Sequence, residues 1–236
     1  MFTLTDTPGK FLILLVLFAF CTVWEITQLT RRPAAGQLVS TLLHLWMALV
    51  MLLMVPENLW MPFVSVIPMP VIIATMIVGV AWYLFLGLRA FSTRGEGPHG
   101  PWHHLGHAMM FAAMTWHLWA MHIKHSRMHE MKSGHMGHGG MDHWKAMASE
   151  PGGVLWTAAI VGIPFMIHLL VAAISNVLQA IRGPRGTSES ACHAKPASAL
   201  EFRLGALSMF AMNFGMWFMS TGLMMPLLPF MKVFVF

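Results

Sequence analysis

Charged side chains are scarce in this chain: Asp, Glu, Lys and Arg together make up 10% of its 236 residues, against 57% hydrophobic ones. That balance excludes a water-soluble domain, whose surface needs far more charge. Cysteine is nearly absent too, with two residues. Cys21 falls inside an apolar run and Cys192 in a late polar segment, so a disulfide framework is excluded and Cys192–His193 reads as an ordinary loop dipeptide. No Walker loop, no Gly-x-Ser-x-Gly, no phosphorylatable-Asp motif of an ion pump and no paired carboxylates occur. An ATP-driven or hydrolytic activity therefore has no machinery here, and a non-enzymatic role is favoured. Nothing resembles a nucleic-acid-binding signature; the formal charge of +5 comes mostly from loop Lys and Arg and bears on membrane orientation.

What is present is a series of long apolar runs. Six stand out, at about 10–28, 37–55, 70–89, 102–122, 153–181 and 203–223, each long enough to cross ~30 Å of hydrocarbon at about 1.5 Å per residue. The expectation is an all-α integral membrane bundle of six transmembrane helices in a single domain, 1–236. The fourth run is the least apolar, because His103, His104, His107, His117 and His122 interrupt it. The first, preceded by Lys10, lacks a small-x-small cleavage site and reads as a retained span rather than a signal peptide.

Arg31 and Arg32 follow the first run, Arg89 and Arg94 the third, and Arg182, Arg185, Lys195 and Arg203 the fifth, whereas 56–69 holds no Lys or Arg. The positive-inside rule then places both termini and the 123–152 loop outside a bacterial plasma membrane, with 183–200 as a flexible cytoplasmic linker. Lys124, Arg127, Lys132 and Lys145 in the long outer loop oppose this, diluted by Glu130, Asp142 and Glu150. Pro56, Pro62, Pro68 and Pro70 read as a stiff external connection, and most tryptophans fall at segment ends, as in an interfacial belt.

One pattern recurs in runs two, four and six: His44, Met47, Met51, Met54; then His107, Met110, Met114, His117; then Met209, Met212, Met216, Met219. The steps of three, four and three residues put each set on one helical face. Under the expected topology the three helices run the same way and the sets match in depth. Converging faces would then stack into four rungs: His44/His107/Met209, Met47/Met110/Met212, Met51/Met114/Met216 and Met54/His117/Met219. Three hairpins, each with a ladder on its second helix, imply a pseudo-threefold repeat. Met121 continues the series by one turn.

Thioether and imidazole are soft, neutral ligands that suit copper, above all Cu(I), and hold a monovalent ion without burying a carboxylate. Rungs one turn apart, about 5 Å, would offer sites of similar affinity for stepwise passage. The competing reading is that flexible Met fills gaps where helices pack, although imidazole in hydrocarbon is costly without a partner. A di-haem cytochrome with His44, His107 or His117 as axial ligands is a third reading, and haem b is disfavoured beside copper.

Two further sets could bind metal. The loop supplies His122, His125, Met128, His129, Met131, His135, Met136, His138, Met141 and His143 among glycines, a composition suited to weak metal capture. His99, His103 and His104 cluster at the inner end of the fourth run. Glu25 is expected to pair with Arg31 or Arg32, Asn213 to bond between helices, and His168 to be a satisfied packing histidine. Trp116, Trp119 and Trp217 lie beside ladder residues, where a ring face could cover a bound cation.

The recurrent Met-x-x-x-Met of Met47/Met51, Met110/Met114 and Met212/Met216 is similar to the motif lining the pore of trimeric high-affinity copper transporters, though chain count and topology differ. The segments His44-Leu-Trp-Met-Ala-Leu-Val-Met and His107-Ala-Met-Met-Phe-Ala-Ala-Met-Thr-Trp resemble an uncharacterised membrane family of actinobacterial type, with short His-x-x-Met-x-x-x-Met helices and no assigned function. Expected partners are the lipid bilayer and a membrane cuproenzyme or respiratory complex. An accessory or assembly subunit of such a complex is the main alternative to a copper-handling protein.

Overall fold

A computed structural model describes residues 7–31, 35–92, 100–133, 148–183 and 198–234. Among them every regular element is helical: α1 (Pro8–Leu29), α2 (Ala35–Met54), α3 (Glu57–Val66), α4 (Met69–Ser92), α5 (Pro101–Ser133), α6 (Val154–Arg182), α7 (Ala199–Met224) and a 3₁₀ helix (Pro229–Phe234). Four of them, α1, α2, α4 and α6, are long and apolar enough to cross a membrane on their own composition. The other two long helices are diluted by polar residues, α5 by its histidines and α7 by Glu201, Arg203, Ser208, Asn213, Ser220 and Thr221.

Local chemistry explains most of the boundaries. Proline sits in the first turn of α1, where no amide hydrogen is needed. Ser198 caps α7 by accepting from the Glu201 amide at 3.2 Å, the Ser-x-x-Glu arrangement of a capping box. Glu201 also takes both guanidinium nitrogens of Arg31, at 2.8 and 2.9 Å, tying the end of α1 to the start of α7. Arg31 thus pairs across the bundle rather than with Glu25. Gly183 ends α6 with φ 74°, a backbone conformation that suits glycine.

Two segments differ from expectation. The proline-rich connection after α2 contains the ten-residue helix α3, with Pro56 preceding it, Glu57 in its first turn and Pro62 within. Proline is compatible with a helix start, and an acid there complements the helix dipole. At the other boundary, α5 continues to Ser133: the helical spacing of Met114, His117 and Met121 carries on through His125 to Met128, as the sequence suggests, and the helix then runs further into the segment expected as the 123–152 loop. The rest of that loop to residue 147, His99 and most of the 183–200 linker lie outside the described residues.

The long helices close into a ring in chain order. α1 packs on α2, α4 on α5, α5 on α6, α6 on α7, and α7 returns to α1. α2 and α4 are joined by indole hydrogen bonds, Trp46 Nε1 donating to Thr75 Oγ1 at 2.8 Å and Trp82 Nε1 to Ser40 Oγ at 3.1 Å. α7 also touches α5 across the interior. Close approach depends on three glycines that each receive an aromatic ring: Gly79 under Phe111, Gly162 under Trp116 and Gly215 under Phe18. A β-carbon at any of them would overlap the ring, so these contacts need glycine for space rather than for backbone freedom.

Outward faces are apolar, with Val16, Val23, Val78, Leu88, Val171 and Ile181 exposed, while Lys10, Glu25, His44, His107, His117, Asn213, Ser220 and Thr221 are buried. Apolar outside and polar inside is the distribution a bilayer imposes. The chain is a membrane-embedded helical protein.

Candidate functional site

Helical periodicity turns all three His/Met ladders inward. Of the twelve residues, eleven are buried: His44, Met47, Met51 and Met54 on α2; His107, Met110, Met114 and His117 on α5; Met212, Met216 and Met219 on α7. Met209 is half-buried, as is Met121. The eight buried ladder methionines belong to one continuous hydrophobic cluster, which also takes in Met69, Met76, Met166, Met224 and Met231.

The first rung brings two imidazoles together. His44 Nε2 lies 3.1 Å from His107 Nδ1, with the rings edge to face. His44 Nδ1 lies 2.9 Å from the Ser40 carbonyl and 3.0 Å from the Tyr83 hydroxyl. A carbonyl can only accept, so that contact assigns the proton to His44 Nδ1. Nε2 is then left to accept from His107 Nδ1–H. One backbone carbonyl thereby selects the tautomer of both rings. Tyr83 also lies against His107, its ring centroid 5.0 Å away, and stacks on Phe111 at 5.5 Å. The rung is a satisfied hydrogen-bonded unit of α2, α4 and α5.

His103 extends it toward the start of α5, its ring centroid 4.7 Å from His107 and 5.7 Å from His104. No group of three or more His, Cys, Asp or Glu is gathered as a metal site among the described residues. A ladder site with three or more ligands would include thioethers.

The fourth rung has a different character. His117 Nδ1 lies 2.8 Å from Ser220 Oγ of α7, and its Nε2 is buried with no hydrogen-bond partner among the described residues. Beside it, Lys10 of α1 is fully buried, donating to Thr221 Oγ1 at 2.7 Å, with its ammonium 4.8 Å from the centre of the Phe218 ring. Ser220 and Thr221 thus tie α5 and α1 to one turn of α7. Met54 and Met219, the other members of this rung in sequence, are buried as well, at 1% and 4% exposure.

Other residues singled out in the sequence have mixed outcomes. Asn213 donates to the Met209 carbonyl of its own helix at 2.8 Å rather than bonding between helices. His168 is hydrogen-bonded to the Gly106 carbonyl of α5 at 3.2 Å, a satisfied packing histidine as expected. Trp116 and Trp217 are buried, whereas Trp119 is 43% exposed. Of the loop set, His122 is half-buried, and His125, Met128, His129 and Met131 belong to the α5 backbone. His135, Met136, His138, Met141 and His143 lie outside the described residues.

Sequence reasoning missed Tyr83, Ser220 and the burial of Lys10. Signals existed for each: Tyr83 is the one tyrosine in a chain with 16 phenylalanines, Ser220–Thr221 is a hydroxyl pair in an apolar run, and Lys10 opens a span.

No protein-family profile, no curated protein and no solved structure matches this chain.

Proposed function

We propose that this chain is a copper-handling protein of a bacterial plasma membrane, binding Cu(I) along the His/Met ladder and translocating or delivering it. α5 and α7 are the fifth and sixth spans, kept from lipid contact on their polar faces by the four more apolar helices. The pairs α1–α2, α4–α5 and α6–α7 are three pseudo-repeated hairpins, with the ladder on the second helix of each. The termini and the His/Met loop face outward, where the loop gathers or receives metal.

The observation that carries this reading is the burial of eleven of twelve ladder side chains in one interior. Packing alone accounts for the methionines, but it gives no reason to pass over leucine, whose rotamers are better defined. Nor does it favour an imidazole with a bare buried nitrogen. The interior offers sulfur and nitrogen without carboxylate at the ladder, the donor set of Cu(I) rather than of a hard cation.

The test is anaerobic Cu(I) loading of the detergent-purified protein, followed by washing and metal analysis. The expected result is about one equivalent or more retained. Changing Met51, Met114 and Met216 together to Leu, close to volume-conserving and cheap in stability, should lower retention with little change in the thermal midpoint. Retention below about a tenth of an equivalent in the unaltered protein would leave the ladder as packing and favour the accessory-subunit reading. A red protein with a Soret band would favour haem.

A further inference from the structure

The two ends of the ladder differ in a way that the equal spacing of its sequence conceals. At the first rung, His44 and His107 spend their facing nitrogens on each other, 3.1 Å apart. A metal between two imidazoles, each nitrogen about 2.0 Å away on opposite sides, needs them about 4 Å apart. That rung must open before it can bind. At the fourth rung, Ser220 holds one imidazole nitrogen at 2.8 Å and the other is buried and bare. Metal-ligating histidines characteristically have this arrangement, the distal nitrogen hydrogen-bonded so that tautomer and ring plane are set for the ligating one.

We infer that the fourth rung is the primary Cu(I) site, with His117 Nε2 as its nitrogen ligand, ladder thioethers as its sulfur ligands and Ser220 as the positioning residue. This inference rests on the copper reading above and deepens it. Helix geometry supplies the sulfurs. Residues three or four positions apart share a face, so Met114 precedes His117 by one turn on α5, while Met216 and Met224 flank Ser220 by one turn each on α7. All three are buried, as are Met54 and Met219, the methionines that share the rung by sequence spacing.

When Cu(I) binds, the imidazole proton stays on Nδ1 and is donated to Ser220 Oγ. The Nε2 lone pair forms the new bond, and no proton leaves. The set is neutral, so the ion keeps its single positive charge. The Lys10 ammonium on the adjoining Thr221 opposes that charge, which keeps a soft-ligand site from becoming a trap. The first rung is then a second, latched station that opens only when its imidazoles part.

The experiment is Cu(I) affinity by competition with a chromophoric Cu(I) chelator, paired with X-ray absorption of the loaded full-length protein. The expected spectrum of the tight site contains one imidazole nitrogen with sulfur. His117→Met should give a sulfur-only spectrum. Ser220→Ala should weaken the site about 10–100-fold and lower the thermal midpoint, since a buried nitrogen loses its partner; Ser220→Thr, which keeps the hydroxyl, should restore both. The double variant His44→Leu with His107→Leu should retain the tight site and its imidazole signal. An imidazole signal that survives His117→Met but disappears in the His44/His107 double variant would overturn this assignment while leaving the copper reading intact. Failure of the unaltered protein to take up Cu(I) would overturn both.

Discussion

Gly162→Ala is expected to cost about 3 kcal/mol or more, the scale of losing a buried tryptophan's packing. A β-carbon there would overlap Trp116 Cζ2 and stand 2.7 Å from two further indole carbons. The ring has little room to yield, because its Nε1 donates to the Ala158 carbonyl at 2.8 Å, one turn away on the same face of α6. Phe165 lies on it as well, with ring centroids 6.0 Å apart. An alanine in a helix interior ordinarily gains about 0.5–1 kcal/mol over glycine, which is too little to offset expulsion of the indole. Gly222→Ala is the matched control: nothing among the described residues lies within 4 Å of its added carbon, so it should show that gain undiminished. Thermal midpoints of the two variants in one detergent check the pair. Equal midpoints would mean that α5 and α6 are not in contact through this ring.

The second large effect concerns the imidazole pair. His107→Leu alone removes the partner that His44 Nε2 uses at 3.1 Å. His44 is completely buried, so no water replaces the bond, and the expected loss is about 1–3 kcal/mol. Adding His44→Leu removes the group that was deprived. The double variant should therefore be more stable than either single variant, because apolar groups replace both partners of one bond. A double-mutant cycle on thermal or denaturant unfolding measures this coupling, and purely additive losses would show that the two rings do not share a proton. Tyr83→Phe should matter less, since the Ser40 carbonyl still holds His44 Nδ1 at 2.9 Å.

Periodicity made the ladder legible. Steps of three and four residues fix a helical face whatever the neighbours are, and the same steps placed eleven side chains inside. The positions of the six long helices followed from hydrophobic runs for the same reason. Their ends were less legible. α5 runs on to Ser133 through histidines that lower its hydropathy but do not break a helix as proline or glycine would. Prolines at 56 and 62 suggested a stiff turn where a short helix starts beside one and accommodates the other.

What the sequence could not convey was partnership. Arg31 reaches Glu201, 170 residues away, Lys10 reaches Thr221 at a separation of 211, and His117 reaches Ser220 at 103. Nothing local marks such pairs, because they depend on which helices become neighbours when the ring closes. The sequence made the four rungs look alike, yet one end is a closed imidazole pair and the other an imidazole whose Nε2 has no hydrogen-bond partner among the described residues. That distinction comes from Ser40, Tyr83 and Ser220, ordinary residues on other turns and other helices.

The ring closes where α7 returns to α1, and that has a consequence for biogenesis. Lys10 and Thr221 are 211 residues apart in sequence; at about 5–20 residues per second, roughly 10–40 s of synthesis separate their emergence from the ribosome. For that interval the first helix sits in lipid with an ammonium group whose hydroxyl partner has not yet been made. A lysine near a helix end can wait at the headgroup boundary on its flexible stem. The Lys10–Thr221 bond, and with it the contact that closes the ring, can form only once α7 has been made.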